Sequence, residues 1–127
     1  MMAVRTLVAL TGLILFPFSF VSAQEEQDTV MYMQSVTVPT IFTHCITIYP
    51  ELEMTFELAF ERWQDENKRA VKRGKKALEC RAKDEGIDLK VMLSSESGQL
   101  ANELASSSLD DQKRVCSTTL TVLIEES

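Results

Sequence analysis

The sequence is poor in the residues that build loop-rich, cross-linked or repetitive proteins. Four Gly and three Pro in 127 residues exclude a collagen-like or linker-like chain. Three Cys are too few for a dense disulfide scaffold. The single His and the lack of a Cys-x-x-Cys motif give zinc no recognisable ligand set, so neither a metal nor another cofactor is expected.

Positive charge is also in short supply. Nineteen acidic residues face 13 basic ones, for a formal net charge of −6, and such a chain does not attract nucleic acid as a whole. Apolar residues make up 45% of the chain, which is too many for a wholly disordered protein. Length and composition together predict one small domain without a nucleic-acid partner.

The N-terminal residues have the three parts of a secretory signal peptide. A positively charged start (1–5) precedes an apolar stretch (6–20) and a small-residue cleavage site (21–23). The apolar stretch is shorter than the roughly 20 residues of a spanning helix, and Pro17 interrupts it. We therefore predict that residues 1–23 are removed, that no integral membrane segment is left, and that the protein is exported to the periplasm or extracellular space.

The remaining chain divides into a lead-in and a folded part. Residues 24–35 are polar and acidic and predict a flexible acidic lead-in, whereas residues 36–127 predict a single helical domain. Pro39 suits the first turn of a helix, and Pro50 predicts that this helix stops at about Tyr49. The β-branched stretch 46–48 also fits a short strand.

The strongest pattern is a long amphipathic helix over residues 51–84. Its apolar side chains fall within an arc about 120° wide. Acidic residues dominate the first half and basic residues the second, which is the order that the helix dipole favours. Gly86 is a suitable terminator. A straight helix of this length would reach about 50 Å, so we expect it either to bend at Gly74 or to project from the domain.

Two shorter helices are predicted after this one. The first is capped by Ser94 or Ser95 and runs to about Ala105, and the second follows a capping box that starts at Ser108. The predicted fold is all-α, a small bundle of three or four helices with one long amphipathic helix. Because residues 118–124 are rich in strand formers, an α+β fold with short terminal strands is the alternative.

The positions of the cysteines favour one disulfide. Cys45 and Cys116 each lie at the centre of an apolar stripe, which predicts that they pair. Cys45 precedes the long helix and Cys80 lies near its far end, about 44 Å away. Those two therefore cannot bring their Cα atoms within the roughly 7 Å that a disulfide requires. A Cys80–Cys116 bond is the alternative; otherwise Cys80 is the odd thiol.

Two residue sets are candidates for binding. The basic run fits either a solvated helix face or a docking patch for an anionic partner, and contains Lys68, Arg69, Lys72, Arg73, Lys75 and Lys76. The aromatic stripe Phe56, Phe60 and Trp63 fits either core packing or the wall of an apolar pocket.

Two further sets contain residue types that can act in catalysis. His44 adjoins Cys45, but neighbouring side chains point apart on a helix or a strand, which disfavours a nucleophilic pair. The acidic row Glu57, Glu61 and Asp65 faces away from the apolar stripe and is better explained as a solvated face.

With no catalytic group assembled, we expect an exported, non-enzymatic interaction protein of the cell envelope. It would be an accessory subunit, inhibitor, immunity factor or chaperone, with a protein partner or a second copy as its target. A carrier of small hydrophobic ligands is the alternative.

Overall fold

A computed structural model describes residues 23–125, and these are nearly all helical. The described chain forms five α-helices, with a 3-10 turn at Pro50–Leu52 after the first. They are α1 (Ala23–Ile48), α2 (Glu53–Glu66), α3 (Lys68–Glu85), α4 (Leu89–Ser106) and α5 (Leu109–Glu125). The all-α prediction is confirmed, and no strand occurs within residues 23–125. The predicted signal peptide lies outside the described residues, except for Ala23.

The first helix begins earlier than the sequence pattern predicts. Residues 24–35, predicted to be a flexible lead-in, belong to α1, and Asp28 among them is buried. Pro39 lies inside α1 rather than at its start. It is exposed, so its ring lies on the outer side of the helix. Pro50 acts as predicted, since α1 ends at Ile48.

The predicted long helix is interrupted at Asn67, which is a correction to the sequence-based fold. The Asn67 backbone has φ −109° and ψ 14°, outside the helical range. Its backbone N–H and its side-chain Nδ2 both donate to the Trp63 carbonyl, at 3.0 and 2.8 Å. Its own carbonyl accepts from the Val71 N–H at 2.9 Å. One residue thus ends α2 and begins α3, while Gly74, the expected bend, lies within α3.

The caps of the later helices agree with the sequence at two of three positions. Gly86 ends α3 with φ 68°, in the left-handed region that favours glycine. The Ser108 hydroxyl accepts from the Asp111 N–H at 3.1 Å, as a capping residue does. The helix α4 is capped by Asp88, which accepts from the Val91 N–H at 3.2 Å, and not by Ser94 or Ser95.

The core lies around α1, which contacts each of the other helices and packs most extensively on α3. Its buried members are Val38, Cys45, Phe56, Ala59, Trp63, Cys116 and Leu123. Cys45 and Cys116 form the predicted disulfide, with a Cα–Cα distance of 5.7 Å, and join α1 to α5. Cys80 is free and exposed, so the alternative bond to Cys116 does not form.

Candidate functional site

An ion pair between the buried Asp28 and the partly exposed Arg73 joins α1 to the basic helix α3. Arg73 donates from Nε to Asp28 Oδ2 at 2.7 Å and from Nη2 to Asp28 Oδ1 at 3.1 Å. Gln24 Nε2 donates to the same carboxylate at 2.9 Å. The hydrogen bonds from Arg73 hold the pKa of Asp28 below its usual value although burial opposes this, and Gln24 adds to the lowering. Arg73 therefore has a structural partner within the chain.

The backbones of α1 and α3 come very close beside this ion pair. A Cβ atom added at Gly74 would lie 1.9 Å from the Asp28 carbonyl oxygen, far inside van der Waals contact. Only glycine therefore allows the two helices to approach as they do. A second ion pair, from Arg81 Nη2 to Glu25 Oε1 at 3.1 Å, joins the same helices further along.

The other basic residues of the predicted patch are exposed on α3. Within residues 23–125 none of them forms an ion pair. They are Lys68, Arg69, Lys72, Lys75 and Lys76. The structure therefore separates the predicted set into Arg73, which holds α3 against α1, and five solvated cations. A basic run in a sequence does not reveal this division, because the buried carboxylate lies 45 residues away.

A charged groove lies where α2 meets α3, and it has a volume of about 590 Å³. The charged groove is the surface lined by Ser35, Glu61, Gln64, Asp65, Lys68, Val71, Lys72 and Lys75. Two members of the acidic row and three lysines of the basic run thus share one surface. Glu57, the third acidic residue of the row, is exposed nearby on α2. The groove presents both signs of charge to anything that binds it.

The aromatic stripe is mainly core. Phe56 and Trp63 are buried, and Phe60 is half-buried. The Phe56 ring lies 5.4 Å from that of Phe42, and the Phe60 and Trp63 rings stack at 6.0 Å. Trp63 Nε1 is buried without a hydrogen-bond partner, as is Gln34 Oε1. Of the three aromatic residues, Phe56 also lines a cavity.

That cavity has a volume of about 310 Å³ and lies between the 3-10 turn, α2 and α5. Its lining is Tyr49, Leu52, Phe56, Cys116, Ser117, Leu120, Thr121 and Ile124. The polar groups on these side chains are hydroxyls, and no charged side chain is among them. Such a lining suits a small apolar molecule that carries one hydrogen-bonding group.

The histidine and its neighbouring cysteine do not form a nucleophilic pair. The Cys45 sulfur is bonded to Cys116 and carries no thiol. His44 Nε2 instead lies 2.7 Å from Gln112 Oε1, which links α1 to α5 next to the disulfide. Within the described chain, no cluster of three or more His, Cys, Asp or Glu side chains is placed to hold a metal ion.

Comparisons with known proteins do not assign this chain to a group: it matches no family model, no curated protein and no solved structure. No helix between residues 23 and 125 has the length and apolar character needed to cross a membrane.

Proposed function

We propose that this is an exported, non-enzymatic interaction protein of the cell envelope that binds a protein partner through the charged groove. Its role would be that of an accessory subunit, inhibitor, immunity factor or chaperone. The observation that carries the proposal is the groove itself. Lysines and carboxylates line one surface, and within residues 23–125 these side chains have no ion-pair partners.

The mixed charge of the groove favours a protein as the partner. A polyanion such as nucleic acid would meet Glu61 and Asp65 as well as the lysines, and would be repelled by them. A protein surface can present both signs in matching positions, which gives orientation and partner choice. The rigid attachment of α3 to α1 through Arg73 and Gly74 supports this role, because a preformed surface loses less entropy on binding.

Export is part of the proposal and is supported by two features. The pattern of residues 1–23 is that of a signal peptide. The Cys45–Cys116 disulfide is compatible with an oxidising compartment. Fractionation of cells that produce the full chain tests this point: we expect a shortened chain outside the cytoplasm, and an uncleaved cytoplasmic chain would contradict it.

The experiment on the groove compares two triple variants with the same change in net charge. Lys68, Lys72 and Lys75 are replaced by Glu in one. In the control, Glu replaces Lys83, Lys90 and Lys113, which are exposed and lie outside the groove. Each protein is crosslinked to its partners in the native envelope. We expect the control variant to recover the same partner as wild type, and the groove variant to lose that partner. Recovery of that partner by both variants would contradict the proposal, provided that circular dichroism shows both to be folded.

A second candidate function, a carrier of small hydrophobic ligands, is favoured by the cavity beside Cys116. A fluorescent apolar probe should then bind with one-to-one stoichiometry. Thr121→Trp would fill the cavity and abolish binding, whereas Thr118→Trp, at an exposed position of α5 outside the lining, would not. Absent or non-saturable probe binding would contradict this candidate.

A further inference from the structure

Three acidic residues of α2 and three basic residues of α3 are placed symmetrically about the junction between the helices. Distances are counted from Glu66 backwards along α2 and from Asn67 forwards along α3. Asp65 and Lys68 each lie one residue away. Glu61 and Lys72 each lie five residues away, and Glu57 and Lys76 each lie nine residues away. Each of these three acidic residues thus has a basic counterpart in the mirror position.

The two rows also have the same spacing. Within each row, neighbouring residues lie four apart, which is about 6 Å along a helix. The break at Asn67 does not separate the rows, because Glu61, Asp65, Lys68 and Lys72 all line the charged groove. All six side chains are exposed. None of the four ion pairs among residues 23–125 uses any of them.

We propose that the charged groove binds a second copy of the same chain in a two-fold symmetric dimer. This inference rests on the proposed function, since it names the partner of the same groove. An axis through the junction at Asn67 places the acidic row of each copy opposite the basic row of the other. Asp65 then faces the Lys68 position of the second copy, and Glu61 faces its Lys72 position. Symmetry repeats every pair, so the surface is complementary to itself.

The complementarity argues for a second copy rather than an unrelated protein. An unrelated partner needs only some matching charges, and nothing in such an interaction requires acid and base to lie at equal distances from one point of this chain. In a two-fold dimer that pattern makes the surface complementary to itself, because the same surface serves as both partners. Val71 and Ser35, both half-buried, line the groove and add uncharged contact between the charged rows.

The nature of the contacts sets the strength of the dimer. Exposed ion pairs contribute little individually and are screened by salt. We therefore expect a dimer that forms at low ionic strength and dissociates as salt is added. The dissociation constant should rise at least about tenfold between roughly 20 mM and 500 mM salt.

A charge swap tests the pairing directly, in a Cys80→Ser background that prevents a disulfide between copies. One variant carries Glu61→Lys and Asp65→Lys, which makes five of the six row positions basic. The other carries Lys68→Glu and Lys72→Glu, which makes five of the six acidic. Sedimentation velocity at low salt should show each variant as a monomer and their equimolar mixture as a heterodimer. A control with Lys83→Glu and Lys90→Glu, outside the groove, should remain a dimer.

Two results would overturn the inference. One is a wild-type protein that is monomeric at low salt and high concentration. The other is a dimer that both charge variants retain, or one that their mixture fails to restore. Neither result decides the proposed function, because the crosslinking experiment recovers any partner of the groove, whether a second copy or another protein. A monomeric protein that loses a crosslinked partner when the groove lysines are replaced retains the interaction role with another protein.

Discussion

The two ends of α1 are joined to the rest of the molecule by different chemistry. Near its start, α1 meets α3 through the Asp28–Arg73 ion pair and the backbone contact at Gly74. We call this region the Asp28 end. Near its finish, α1 is bonded to α5 by the Cys45–Cys116 disulfide, among aromatic and aliphatic side chains. We call this second region the disulfide end.

The two ends have different roles: one mainly stabilises the fold, and the other mainly fixes the position of α3. The disulfide end holds most of the buried apolar side chains, which supply the main driving force for folding. The Asp28 end buries a charge and needs a glycine, so it contributes geometry more than hydrophobic burial. It is also the end that positions α3, whose lysines line the charged groove. Variants at the disulfide end should therefore alter mainly stability, and variants at the Asp28 end should also alter the groove.

The largest effect is expected from removal of the disulfide. Cys45→Ala together with Cys116→Ala opens a loop of 71 residues, and the chain-entropy argument predicts a loss of about 4 kcal/mol. Urea unfolding measures this free energy. Cys80→Ala is the matched control and should leave it nearly unchanged, because that residue is free and exposed. Equal stabilities of the double variant and the control would show that the disulfide end does not depend on its cross-link.

The next effect in size is expected at the helix contact. Gly74→Ala places a methyl group against the Asp28 carbonyl and should lower the free energy of unfolding by about 2 kcal/mol through overpacking. Gly98→Ala, where an added Cβ meets nothing within 4 Å, should instead raise it by up to about 1 kcal/mol. Thermal unfolding of both variants tests the pair. A Gly74→Ala protein as stable as Gly98→Ala would show that the close approach is dispensable.

A smaller effect, dependent on pH, is expected from the ion pair. Asp28→Asn keeps the side-chain shape but leaves Arg73 without an anionic partner, and the loss is limited because the Arg73 side chain is 52% exposed. Since folding lowers the pKa of Asp28, its stabilising contribution is complete above the usual value of 3.8 and disappears as the pH falls through the lowered folded value.

Unfolding measured from neutral pH to about pH 2 tests this sign. The stability difference between wild type and Asp28→Asn should be largest at neutral pH and narrow below pH 3.8. Glu26→Gln removes the same charge from an exposed position of α1 and is the control. A difference that grows on acidification would contradict the assignment.

The smallest effect is expected from the His44–Gln112 hydrogen bond at the disulfide end. His44→Ala and Gln112→Ala, measured singly and together, should give a coupling energy of about 1 kcal/mol. Because the Cys45–Cys116 bond already joins the same helices, neither variant should disrupt the fold. A coupling energy near zero would show that the contact is not formed in solution.

The parts of the fold that follow from local pattern could be predicted. The caps at Gly86 and Ser108 depend on a few neighbouring residues, and both are confirmed. The Cys45–Cys116 bond followed from stripe positions and from the length of helix between Cys45 and Cys80. Asn67 is different, because a single residue that satisfies the ends of two helices leaves the helical periodicity almost unchanged.

The candidate site could be predicted only as a run of charges. The basic residues are visible in the sequence, but the pairing of Arg73 with Asp28 depends on a carboxylate in the segment predicted to be a flexible lead-in. The acidic row looked like a solvated face and is exposed, yet it shares a groove with the lysines. That shared surface depends on how α2 and α3 meet and on where α1 brings Ser35.

Helical periodicity, charge segregation and the positions of the cysteines are local properties, so the amino-acid order was enough to favour an all-α chain and a Cys45–Cys116 disulfide over their alternatives. The break at Asn67, the helical start of α1 and the contact of Gly74 with Asp28 were decided only when the helices packed. Each of these depends on groups that are distant along the chain and close in space. A buried carboxylate and a bare glycine backbone are stable only once the opposite helix is present.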